Sequence, residues 1–195
     1  MEELTKRQEE IIQKATQIID KKGIQGLTIK NLSHEIGVTE GAIYRHFKNK
    51  KEILDSILEQ FKSNMKDFQK AEFTGHKNFF DVLLSVFQHF RTIFENNPAI
   101  VSVIFAEEIF QNDSQLSEKV SQIIQSNEKF MLHAIKQGKA NGELRKELNE
   151  QMMVNSIFGP FRLIVKKWKL SGFEGTLKKD VDKLLEYLKA TIFLQ

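Results

Sequence analysis

Apolar residues return every three or four positions along almost the whole chain, and nowhere do they alternate. Ile11, Ile12, Ala15, Ile18 and Ile19 trace one face of a helix over residues 5–22, and Val181, Leu184, Leu185, Leu188 and Ile192 trace another near the carboxyl end. A half-buried strand needs a period of two, and no segment supplies it. Only two prolines and ten glycines punctuate 195 residues, too few for the many turns of an all-β fold. The expectation is an all-α protein of about nine helices. With 41% apolar and 28% charged residues, the chain is long enough to bury one or two real cores. No cysteine is present, which excludes disulfides and thiolate metal sites and fits a reducing cytoplasm. The start, MEELTKRQEE, is too polar for a signal peptide, and no apolar run approaches membrane-spanning length. The chain is therefore expected to be cytoplasmic, with no membrane partner, metal or cofactor.

Local punctuation organises the first quarter. Gly23 ends the first helix, and Thr28 caps a short one carrying Ile29, Leu32 and Ile36. Gly37 stands where a helix end needs a left-handed residue, and Thr39 caps a very short third helix with Ile43, Tyr44 and Phe47. Asn49, with Glu52 three residues on, opens a fourth through Phe61. Two short helices joined at a glycine form a helix-turn-helix pattern, whose second helix enters the major groove of DNA amino end first.

The stretch GVTEGAIYRHFKNKK, residues 37–51, carries the functional signal. Net charge over the chain is only +3, too small to argue nucleic-acid binding. Residues 41–51, however, hold four cations and no carboxylate. Gly41 costs a helix about 1 kcal/mol relative to alanine, but it lets a backbone approach closely. Tyr44, Arg45 and His46 offer donors of different reach, and Lys48, Lys50 and Lys51 follow where phosphates would lie. Cations at a helix start oppose its dipole, which argues for an external anion. A second reading makes Tyr44 an edge of the core and the lysines a solvated helix start.

The run LTIKNLSHEIGVTEGAIYRHFKNKKEIL resembles the DNA-binding domain of the TetR (tetracycline repressor) family of bacterial transcription regulators. The resemblance spans residues 5–55 and rests on Leu27-Thr28, Ile36-Gly37-Val38, Gly41, Ile43-Tyr44, His46-Phe47, Lys48 and Lys50, in order and without gaps. It implies a helix-turn-helix domain over residues 1–52 and a helical ligand-binding and dimerisation domain over 53–195, joined inside the fourth helix. Thr28, Tyr44, His46 and Lys50 correspond to phosphate-contacting or positioning residues, and Lys30 and Lys48 stand with them. Thr39, Glu40, Gly41, Ala42 and Arg45 face the bases or lie beside them. Arg45 suits guanine and Glu40 suits cytosine, yet each could equally contact backbone or the other. Double-stranded operator DNA, bound by a homodimer, is the implied partner.

The second part of the chain is rich in phenylalanine. Phe87, Phe90, Phe94, Phe105, Phe110, Phe130, Phe158 and Phe161 either fill an ordinary core or line an apolar pocket, with Glu107, Glu108 or His133 as its polar end. The resemblance implies such a pocket, for a small and largely apolar effector. Gly159-Pro160 falls inside the penultimate helix and predicts a kink, either a lever or a static feature. The resemblance further implies that residues 149–170 and 177–193 pair with their copies in a four-helix bundle.

Two other functional classes fit the sequence less well. An enzyme finds no support: GxGxxG, a P-loop, HExxH, GxSxG and a cysteine nucleophile are all missing, and the run Ser33-His34-Glu35 points three ways from a helix. A helical adaptor would explain the carboxyl-terminal helices but not the cations of residues 45–51.

Overall fold

The structure is a computed structural model that describes residues 4–73, 78–106 and 113–194. Among the described residues lie nine helices and no strand. They are α1 (Lys6–Gly26), α2 (Ile29–Ile36), α3 (Glu40–Tyr44), α4 (Lys50–Phe73), α5 (Phe79–Asn96), α6 (Pro98–Ile104), α7 (Ser114–Ala140), α8 (Glu150–Leu170) and α9 (Lys178–Ile192).

Side chains set most of the helix starts. Thr5 and Gln8 close a reciprocal capping box on α1, Thr28 Oγ1 accepts from Asn31 N at 3.0 Å, and Thr39 Oγ1 accepts from Ala42 N at 3.3 Å. Asn49 Oδ1 accepts from Glu52 N at the head of α4, and Asn149 does the same for Met152 N on α8. Gly23, at φ 68° and ψ 175°, breaks α1 three residues before its end. Gly37, at φ 77°, turns the chain from α2 toward α3. Gly159-Pro160 lies inside α8, which runs on to Leu170, and Pro160 leaves the carbonyl of Ser156 without its helical donor.

The chain divides into two compact units, the first made of residues 1–64 and 97–121 and the second of residues 65–96 and 122–195. In the first unit, Ile11, Ala15, Ile19, Leu27, Leu32, Ile43, Phe47, Ile53 and Leu58 are all buried, so α1, α2 and α3 share one core with the start of α4. The buried helix α6 packs against α1. Asn97 makes no side-chain cap for α6; instead the Asp20 carboxylate of α1 accepts a hydrogen bond from Ala99 N–H. Burial raises the pKa of Asp20, and that bond partly offsets the rise. Lys119 of α7 reaches Asp55 at 2.6 Å and Glu59 at 3.0 Å on α4. Burial opposes its charge, but the two carboxylates outweigh burial and raise its pKa.

In the second unit, α5, α8 and α9 pack through Phe87, Phe90, Ile157, Phe161, Leu184 and Leu188. The chain end is clipped to the turn after α7 by an isolated antiparallel bridge between Leu144 and Phe193. Arg145 N donates to Ile192 O and Leu194 N to Glu143 O, each at 3.0 Å.

Gly138 in α7 lies against this clip. A Cβ there would sit 3.0 Å from Phe79 Cβ and 3.1 Å from Leu144 Cδ1. The tight fit opposes the roughly 1 kcal/mol of helix propensity that alanine would add. Gly138→Ala is expected to destabilise the fold by about 1 kcal/mol net, measured as a lowered urea midpoint at unchanged slope.

Candidate functional site

α3 holds the candidate reading surface. Ile43 and Phe47 are buried and anchor it, while His46 N and Phe47 N both donate to Ile43 O, at 2.9 and 3.0 Å, and close it after five residues. The buried anchors leave Thr39, Glu40, Gly41, Tyr44 and Arg45 exposed and Ala42 and His46 half-buried. Tyr44 is 50% exposed, so it is not a closed part of the core. Thr28 at the head of α2 is exposed, as is Lys30 two residues on. The capping oxygens of Thr28 and Thr39 act as acceptors in their caps, which leaves each O–H available to donate outward. Glu40 and Arg45 form no ion pair with each other, and neither Lys30 nor Arg45 pairs with a described carboxylate.

The lysines at the start of α4 correct one step of the sequence argument. They do not need an external anion to offset the helix dipole, because each has a partner in the protein. Lys51 Nζ meets Asp113 Oδ1 at 2.9 Å, and this hydrogen bond holds the Asp113 carboxyl below the usual carboxylate range. Lys50 is half-buried, and its Nζ donates to Ile24 O at 2.6 Å. Burial lowers its pKa. Glu52 accepts from Lys48 N at 2.7 Å and stands 3.8 Å from Lys48 Nζ. The Lys48 side chain is nevertheless 86% exposed, so its charge stays available to solvent-borne phosphate. Lys50 instead ties α4 to the end of α1 and sets the position of what lies between.

Gly41 is exposed and its φ lies outside the left-handed region; a Cβ there would meet only Thr39 Oγ1, at 3.9 Å. The fold therefore has no use for a glycine at this position.

The aromatic residues of the second unit gather in part. Phe87 stacks on Phe161 with centroids 4.9 Å apart, and Phe90 lies 5.5 Å from Phe161, 5.6 Å from Phe94 and 6.4 Å from Phe158. These five rings form one cluster between α5 and α8. Phe130 joins a different group beside Phe68. Phe105 belongs to the first unit, and His133 is exposed. Phe110, Glu107 and Glu108 lie outside the described residues. A surface cleft of about 360 Å³ opens elsewhere in this unit, lined by Leu132, Lys139, Leu148, Asn149, Glu150 and Gln151, with none of the sequence-predicted pocket residues among them. The described residues contain no helix long and apolar enough to cross a membrane and no cluster of metal-ligating side chains.

Residues 11–57 match the family described as "Bacterial regulatory proteins, tetR family", and residues 47–191 match "YsiA-like protein, C-terminal region". The fatty acid metabolism regulator protein of Bacillus subtilis (strain 168) is 26% identical over 188 residues, 94% of each chain. Among solved structures, the fatty acid degradation regulator FadR from Bacillus halodurans superposes with a TM-score of 0.83 at 18% identity, over 97% of this chain and 98% of that one. FadR from Bacillus subtilis in complex with stearoyl-CoA gives 0.77 at 20% identity, over 92% and 96%.

Because the fold has room for a Cβ at Gly41, Gly41→Ala separates stability from recognition. It is expected to stabilise the protein by about 0.5–1 kcal/mol while weakening DNA binding at least tenfold, read from thermal melts and fluorescence anisotropy on the same preparation.

Proposed function

Since this chain belongs to the TetR family of bacterial regulatory proteins and is a DNA-binding transcriptional regulator rather than an enzyme, we propose that it is a cytoplasmic repressor: a homodimer on a palindromic operator, released by a small, largely apolar effector. The observation that carries the reading is α3 itself. Its buried Ile43 and the neighbouring Phe47 present Tyr44, Arg45 and a glycine that the fold does not require. The capping Thr39 and the exposed Lys30 and Lys48 surround them. Tyr44, Lys30 and Lys48 would hold phosphates, and Arg45 would read a base edge. A five-residue helix covers only a few base pairs, so two copies are needed for a selective site.

The dimer reading is supported by α8 and α9. Met152, Leu163 and Leu170 are 60%, 53% and 77% exposed and fall on one stripe of α8, and Tyr187 on α9 is 58% exposed. Gly159 lies on the same stripe with open space where its Cβ would be, so a facing helix could approach closely. The proposed interface is residues 149–170 and 177–193.

The effector reading is supported by the ring cluster of Phe87, Phe90, Phe94, Phe158 and Phe161, and by the stearoyl-CoA held by the similar Bacillus subtilis regulator. The proposed effector is of that class, an alkyl chain carrying an acyl group. Differential affinity for two spacings of the DNA-reading heads would couple the sites, by about 1–3 kcal/mol in either direction.

Operator selection from random DNA followed by anisotropy tests the whole. Specific affinity should fall steeply with salt, and Lys48→Ala should flatten the log–log slope by about one unit on every sequence. Arg45→Ala should relax preference at one position per half-site. Leu163→Glu should yield monomers by sedimentation and abolish operator binding with the melting profile of the monomer intact. A dimer that survives Leu163→Glu would place the interface elsewhere.

A further inference from the structure

The second unit contains a polar seam that neither the DNA reader nor the ring cluster uses. It lies where the end of α4 meets α5 and α7. Gln69 is buried there with its amide fully engaged: Nε2 donates to Asn127 Oδ1 at 2.8 Å, and Oε1 accepts from Ser126 Oγ at 3.1 Å. Next to Gln69 in sequence, Phe68 stacks almost flat on His89 of α5, with centroids 4.1 Å apart and 9° between the planes. Phe130 of α7 closes on Phe68 at 6.4 Å.

His89 Nε2 is buried and has no hydrogen-bond partner among the described residues. A buried ring nitrogen left unpaired destabilises a fold, and a phenylalanine or leucine would fill the space without that loss. The imidazole also keeps to its neutral form: burial pushes its pKa below that of a free histidine, with the Glu72 charge working against the shift. A neutral ring with an unpaired Nε2, a donor when it carries the ring proton, and with Phe68 stacked on its face suits one kind of group. That group is an uncharged hydrogen-bond acceptor attached to an apolar chain. A carboxylate fits less well, because Glu72 lies close enough to act on the ring and would repel it.

We propose that His89 Nε2–H donates to the acyl carbonyl oxygen of the effector, with the adjoining alkyl chain lying on Phe68 and Phe130. The inference rests on the acyl-chain effector put forward above, but it puts the acyl end of that effector in this seam and not among the five rings, and it adds the residue that distinguishes a neutral acyl group from a bare chain or an acid. One neutral hydrogen bond made in an apolar seam corresponds to about a tenfold difference in affinity.

The experiment uses the full chain and three probes: palmitoyl-CoA, S-hexadecyl-CoA, a thioether that lacks only the carbonyl, and palmitate. Wild type should bind palmitoyl-CoA about tenfold more tightly than the thioether and more tightly than palmitate. His89→Leu should melt no lower than wild type and should bind palmitoyl-CoA and the thioether alike, while His89→Gln, whose amide reaches a similar point, should regain part of the preference. The ¹H–¹⁵N spectrum of the wild-type imidazoles gives a readout that needs no variant. The His89 Nε2 proton should move downfield with palmitoyl-CoA and stay in place with the thioether. Equal binding of thioester and thioether by wild type, an unmoved Nε2 proton, tighter binding of palmitate, or a preference that persists in His89→Leu would each overturn the role of His89 and leave the acyl-chain effector standing. If wild type binds none of the three probes, the effector reading fails and the His89 role fails with it.

Discussion

Helices of five and eight residues do not persist in water by themselves, because the entropy of nucleating them exceeds what so few hydrogen bonds return. In this protein the deficit is met by threonine hydroxyls. Thr28 and Thr39 each occupy an unpaired N–H at the head of a short helix, and Thr5 does so for the longer helix beneath them. Buried Leu27, Leu32, Ile43 and Phe47 then fix those helices to α1 and α4. The position of Tyr44 and Arg45 relative to the first unit depends on this pairing of caps and anchors.

Charge in the first unit is divided between scaffold and surface. Lys50, Lys51 and Lys119 face inward to Ile24 O, Asp113 and the Asp55–Glu59 pair. Lys30, Arg45 and Lys48 are exposed to solvent instead. A count of cations along the sequence cannot make this distinction, since Asp113 lies far along the chain from Lys51 and an acceptor carbonyl carries no sequence mark.

The same limit explains what the sequence did and did not show. Caps and stops act within four residues, so Thr28, Gly37, Thr39 and Asn49 could be read directly, and T-K-R-Q at residues 5–8 held a capping box that was there to be read. Periodicity identifies the face a residue occupies but not what it faces. Phe87, Phe90, Phe94, Phe158 and Phe161 did come together, whereas Phe105 fell in the other unit and His133 in solvent. Asp20 capping α6 and the unpaired nitrogen of His89 depend on tertiary neighbours and left no local trace.

The way the chain is shared between its units sets an order of assembly during synthesis. The first unit is discontinuous: it draws on residues 97–121, so the DNA-reading helices lack α6 and the start of α7 until the intervening segment has left the ribosome. The second unit waits longer still. Glu143 accepts from the Phe79 N–H at the head of α5 and, through its carbonyl, from Leu194 N–H near the chain end. Contacts so distant in sequence close late. A nascent chain therefore completes its first unit before the second unit closes the contact from Leu194 to Glu143.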